Sequence, residues 1–228
     1  MDTSLGNRIA IVQAMSALIE ETTLDKMGVS AICERAGLSR ATFYRLFSCK
    51  YDVLQWLISV YSEAGLDEIG RSLTWHEGLA RTTKGLNLHA KLLFAANSTN
   101  QPFEAPREFT FAKRRDVLIE TIKEWHHVEL TPRLAFQVRS YARLSAIVAS
   151  EWHQGLYPYS EDEYIDLVES IVPCDLHRLL DTPVAPEKAG SQFSLFDAQK
   201  SQHHLAKAML QQSTRMIGFI CGDIATPY

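Results

Sequence analysis

The chain has 228 residues, 46% of them hydrophobic and 22% charged, with a formal net charge of −4. That is ordinary globular composition, which argues against general disorder, and the length exceeds one typical domain. The mild acidity excludes a global basic field for nonspecific nucleic-acid binding, and no apolar run approaches the roughly 20 residues of a bilayer span.

The opening MDTSLGNRIAIVQAM lacks the cationic flank and cleavage site of a secretory signal. Cys33, Cys49, Cys174 and Cys221 are scattered without a CxxC pair. Both features lead us to expect a cytoplasmic protein with reduced thiols.

Apolar residues follow the helical period, and β-branched alternation is rare. Ile11, Val12, Met15, Leu18 and Ile19 form one stripe of a first helix, expected over about 6–21. A short second helix is expected from Val29 to Arg35, stopped by Gly37 in a left-handed conformation. Ser39 is a good N-cap for the two turns of SRATFYRLF. Lys50 or Tyr51 then opens a longer helix that ends between Gly65 and Gly70.

Further helices are expected at 76–97, 107–129, 132–154 and 161–172. Ser160 and Glu163 have the spacing of a capping box, Gly155 marks a helix stop, and Pro173 breaks or kinks. Residues 182–192 are linker-like, and 197–220 have the spacing of one more amphipathic helix. The expectation is an all-α protein: a small amino-terminal bundle over 1–50, a larger helical domain over 51–181, and a tail over 182–228.

Residues 35–50, RAGLSRATFYRLFSCK, hold four cations and no acid, although residues 1–64 carry six Lys/Arg against seven Asp/Glu. On a wheel of about 100° per residue, Phe43, Leu46 and Phe47 share the arc that must face a core. Arg40, Tyr44, Ala41, Arg45 and Thr42 occupy the other arc. Arginine forks suit phosphate oxygens and the guanine edge, and the hydroxyls suit phosphates. Lys50 adds a cation beside free N–H groups at a helix start. One short helix, a glycine turn and a second helix make a helix-turn-helix able to enter a major groove. The competing reading is a basic solvated helix of an ordinary α-protein.

The run GVSAICERAGLSRATFYRLFSCKYDVL, residues 28–54, resembles the DNA-binding domain of the TetR/AcrR family of bacterial transcriptional regulators. The matching positions are Val29, Ile32, Ala36-Gly37, Leu38-Ser39, Thr42, Tyr44, Phe47 and Lys50, and the resemblance covers roughly 7–56. It implies that Arg40 and Ala41 face base edges, that Thr42, Tyr44 and Lys50 hold phosphates, and that Arg45 reaches either. Gly28 stands where the family usually has threonine, so that contact is lost or passes to Ser30. Ser39 belongs to the same interface. The resemblance further implies a variable helical domain that dimerises, here through 132–154 and 161–172, and usually binds a small molecule. The expected partners are double-stranded DNA, a second copy and an unidentified effector; no membrane is expected.

Candidate liners of an effector pocket are Phe94, Phe109, Phe111, Trp125, Tyr141 and Trp152, although aromatics at helical spacing belong to a core more often than to a ligand wall. His89, His126, His127 and His153 form no recognised ligand or catalytic spacing. No P-loop, nucleophile elbow or dinucleotide fingerprint occurs, so no metal, cofactor or enzymatic activity is expected. Cys49, beside Lys50, is either a low-pKa thiol or a plain turn residue. Lys113-Arg114-Arg115 reads as a solvated helix face. Three functions compete on this basis. They are a ligand-released repressor, a same-fold adaptor or activator controlled by a protein partner, and a helical enzyme with a vestigial reader.

Overall fold

A computed structural model describes the backbone of residues 3–97 and 104–184, and the side chains within them except at 3, 94, 96, 97 and 104–109. Ten α-helices make up the described chain: α1 (Thr3–Leu18), α2 (Val29–Ala36), α3 (Arg40–Leu46), α4 (Lys50–Ala64), α5 (Trp75–Asn87), α6 (Ala90–Asn97), α7 (Glu104–Glu120), α8 (Pro132–His153), α9 (Glu161–Ser170) and α10 (Cys174–Leu180). Among the described residues no strand forms, so the protein is all-α.

The local stops and starts lie where short-range chemistry places them. Gly37 takes φ 67°, and the N–H groups of Gly37 and Leu38 return to Glu34 and Cys33. A side chain in that conformation would be strained, which is why α2 ends on glycine. Ser39 Oγ accepts the Thr42 N–H at 3.1 Å, and Asp52 accepts the N–H groups of Ser48 and Cys49 ahead of α4. Thr74 with Glu77 and Ser160 with Glu163 close capping boxes at α5 and α9. These bonds hold both glutamates below the usual carboxylate range.

Two hydrophobic cores form. The first gathers Ile11, Val12 and Met15 of α1, Ile32 of α2, Phe43 and Phe47, and the inner face of α4, with Leu92 and Leu93 of α6. The second gathers Trp75 and Leu79 of α5, Leu118 and Ile122, Val138 and Tyr141 of α8, Tyr164 and Val168 of α9, and Leu176 and Leu180 of α10. Close approach of α4 and α5 depends on Gly85, where a Cβ would lie 2.2 Å from the Tyr61 ring.

Three expectations need correction. The helix expected over 76–97 is two helices, because the chain turns at Leu88 and His89. His89 there contacts Ser16 of α1 at 3.4 Å and Tyr61 of α4 at 3.2 Å, and α6 folds back onto the first core. The helix expected over 107–129 ends in a wider π-helical turn, Thr121–Trp125, followed by His127 at φ 54°. His126 Nε2 donates to the Gly70 carbonyl at 2.7 Å and Arg71 lies 5.2 Å over the Trp125 ring, so contacts with the α4–α5 connection shape this end.

The third correction concerns Lys113-Arg114-Arg115, which is no solvated face. Lys113 pairs with Glu63 at 2.8 Å and Asp67 at 3.5 Å, Arg114 donates to Ser145 at 2.7 Å, and Arg115 pairs with Asp116 at 2.7 Å. Helix α10 follows Pro173 unpredicted. The helix expected over 197–220, and the linker beyond residue 184, lie outside the described residues.

Candidate nucleic-acid interface

Helix α3 is built from the inside out. Phe43 is fully buried and Phe47 nearly so, their rings 6.0 Å apart, and Phe47 meets Trp56 of α4 at 6.0 Å. Arg8 of α1 lies 4.7 Å over the Phe47 ring. With the apolar edge pinned to α1 and α4, the opposite edge faces solvent. Arg40, Ala41, Tyr44 and Arg45 are all exposed, Tyr44 at 50%. The Arg40 guanidinium lies 5.9 Å over the Tyr44 ring, four residues on, which holds it forward while leaving its donors free. Ser39 and Thr42 share a hydroxyl–hydroxyl bond of 3.0 Å at the start of the helix, and Ser30 is exposed on α2.

The four cations of residues 35–50 divide into two pairs. Arg35 donates to both carboxylate oxygens of Glu21, at 2.8 and 2.9 Å, and is neutralised there. Lys50, expected at a phosphate, is bonded within the protein. Its Nζ donates to the carbonyls of Leu24, Asp25 and Met27 at 2.6, 3.0 and 3.0 Å. All three ammonium donors are thereby used, and the connection between α1 and α2 is tied to the start of α4. Tyr51 donates to Asp25 at 3.4 Å beside it; burial, then the Asp25 charge, pushes its phenol above its usual pKa. Arg40 and Arg45 alone of the four have no ion-pair or hydrogen-bond partner among the described residues. Spacing could not reveal this, because the partners lie on the connection before α2.

Two free cysteines lie in this domain. Burial raises the Cys33 thiol, partly opposed by Arg40, and Cys49 Sγ faces Asp52 Oδ1 at 3.5 Å.

Of the candidate pocket aromatics, Tyr141 and Trp152 belong to the second core. Tyr141 is buried edge-on to Trp75 at 5.2 Å. Trp152 stacks on Tyr164 at 4.2 Å, and Trp125 lies under Arg71. The side chains of Phe94 and Phe109 lie outside the described residues. A small cleft of about 20 Å³ between α4 and α7 is lined instead by Gln55, Ile58, Ser62, Asp67, Lys113 and Arg114. His89, His126 and His153 bond within the protein. Burial pushes His89 down to about 4, and His153, also lowered, donates to the Ala149 carbonyl at 2.7 Å.

A buried apolar edge, a cap and a cationic outer edge on the second helix of a helix-turn-helix define a DNA-binding regulator. Residues 11–56 match the family described as "Bacterial regulatory proteins, tetR family". Over these residues the chain carries a DNA-binding domain of the tetR family of regulators. Among solved structures, "Dihydroxyacetone kinase operon activator DhaS" superposes with a TM-score of 0.57 at 15% identity, covering 77% of this chain and 98% of that one. At that identity the likeness concerns the fold. No curated protein matches the sequence. No described helix is long and apolar enough to cross a membrane.

Proposed function

We propose that the protein is a homodimeric, sequence-specific transcriptional regulator of a near-palindromic operator, and that it represses until a small-molecule ligand releases it. In this reading residues 1–50 are the DNA-binding unit, 51–181 the ligand-binding and dimerisation unit, and 182–228 a linker with a further segment. The observation that carries the reading is the outer face of α3, where Arg40 and Arg45 keep their donors free beside Ala41. A small residue between two arginines lets the helix backbone approach base edges. Ser30, Ser39, Thr42 and Tyr44 supply hydroxyls for phosphates around it. Lys50 contributes from inside, by fixing how α2 and α3 sit on α4.

A second copy is favoured by an apolar face on α8 and α9. Phe136 is 71% exposed, and Leu144, Ile147, Leu167 and Ile171 are exposed with it. Their spacing puts each set along one side of its helix, as an isologous interface requires. Two readers then address half-sites about one helical turn apart, or a multiple of it.

The polar lining of the α4–α7 cleft supports a small-molecule input. Its volume of about 20 Å³ favours a second reading, control by a protein partner with activation in place of repression. That is room for about one water. The DhaS structure, by its title an operon activator, has the same fold.

Selection of genomic fragments by the purified protein at near-physiological salt, followed by sequencing, tests the proposal. A shared near-palindrome is the expected result, and binding without any common site sinks sequence-specific reading. Release of the operator by a metabolite, or its absence across metabolite pools, decides between the two inputs. Sedimentation of Phe136→Glu should give monomers if the α8–α9 face joins the copies.

A further inference from the structure

DNA reading uses none of the side chains where α9, α10 and the start of α5 meet. Glu169 lies in the last turn of α9, and His177 and Asp181 are one turn apart at the end of α10. One ligand atom from each lies within 4.8 Å of the other two. Glu169 spans two imidazoles, with Oε1 3.1 Å from His177 Nε2 and Oε2 3.1 Å from His76 Nδ1. Asp181 Oδ1 accepts the backbone N–H of Trp75 at 3.2 Å, which orients the carboxylate and leaves Oδ2 available. The His177 ring is set by stacking on Trp75 at 6.2 Å and 17°. The group opens into a surface cleft that also presents Asp166, Cys174 and Arg178.

An ordinary ion-pair network is the competing explanation, and it accounts poorly for the composition. Three carboxylates, Asp166, Glu169 and Asp181, converge on one cleft whose fixed cation is Arg178. A divalent ion offsets that charge, and it accepts this mixture of donors, because imidazole nitrogen and carboxylate oxygen are the common partners of Zn²⁺-class ions. Ligands about 2.0–2.1 Å from one tetrahedral ion stand about 3.3 Å from each other. The 3.1 Å between Glu169 and His177 is close to that edge. The two donors held by Trp75, through its ring and its N–H, are oriented as outer partners orient metal ligands.

We propose that Glu169, His177 and Asp181 bind a divalent transition-metal ion of the Zn²⁺ class, with His76 orienting Glu169 through its other oxygen. The ion joins α9 to α10, and His76 ties that pair to the start of α5, 93 positions before Glu169. Co²⁺ is the probe, because its visible absorption reports the donor set. The full chain, stripped with chelator, is titrated with Co²⁺ and then with competing Zn²⁺, and thermal unfolding is followed with and without Zn²⁺.

The expected result is one tightly held ion per chain and a higher unfolding midpoint with Zn²⁺. Glu169→Gln and Asp181→Asn, both near-isosteric, should each weaken binding by about tenfold or more and remove the midpoint shift, while Cys174→Ser leaves both unchanged. Absence of Co²⁺ uptake by the unaltered protein overturns the proposal. So does uptake of unchanged affinity in both carboxylate variants, whose folding is checked by circular dichroism.

Discussion

Two basic clusters in this molecule look alike as strings and behave as opposites. On α3, Arg40 and Arg45 face solvent with no ion-pair partner among the described residues, because residues 35–50 contain no acid and neighbouring α4 begins with Lys50. On α7, Lys113 lies between Glu63 and Asp67, with side chains only 27%, 20% and 15% exposed. Arg114 beside it turns inward to Ser145. Cations remain available to an outside polyanion only where the packed neighbours supply no carboxylate. Local charge along the chain does not decide this; the identity of the facing helix does.

The comparison predicts that the second region governs stability and the α3 face governs recognition. The largest effect should come from Trp75→Ala, because Trp75 is fully buried at the centre of the second core. Loss of about 3–5 kcal/mol is expected in denaturant unfolding, and a loss under 1 kcal/mol would show that the core does not depend on it.

Acid probes the contacts that tie α1 to α4. His89 is kept neutral between Ser16 and Tyr61, its pKa pushed from 6.5 down to about 4 by burial. The unfolded chain therefore binds this proton more readily than the folded one. The stability is complete above the unfolded pKa and falls as pH drops from 6.5 towards 4. Its full size is at most about 3 kcal/mol. In His89→Gln the slope of stability over this window should flatten; an unchanged slope would assign the effect to other groups.

Lys50→Met separates support from contact. It should lower stability by roughly 1.5–3 kcal/mol, through three lost charge-assisted bonds. The salt slope of DNA binding should stay as it was, and a reduced slope would return Lys50 to the phosphate contacts. Arg40→Ala should cost about 1–3 kcal/mol of operator binding and relax preference at one base position. The same change at Arg114 should leave base preference intact. Tyr44→Phe is the smallest effect, about 1 kcal/mol and equal for all sequences. If Tyr44→Phe and Arg40→Ala both bind the operator as the unaltered protein does, the assigned face is wrong.

Much of the reader was legible because its signals close within one turn. Gly37, Ser39 and the Phe43, Leu46, Phe47 arc each act on residues three or four positions away, so the chain carries the whole interaction in view. The internal bonds of Lys50 are not legible for the opposite reason. Its partners, Leu24, Asp25 and Met27, lie more than twenty residues earlier and are backbone atoms, which leave no mark in residue identity. The aromatic candidates Trp125, Tyr141 and Trp152 are recognisable as large apolar groups, but that Tyr141 and Trp152 join the second core while Trp125 lies under Arg71 depends on how distant elements pack.

The amino-acid sequence by itself determined an all-α chain, the starts and stops of most helices, and the edge of α3 that faces outward. Helical period and caps are properties of neighbours along the backbone. Tertiary structure alone decided which cations stay free, where His89 turns the chain back onto the first core, and that Glu169, His177 and Asp181 converge. Those outcomes depend on which distant elements pack together, and packing selects partners by proximity in space.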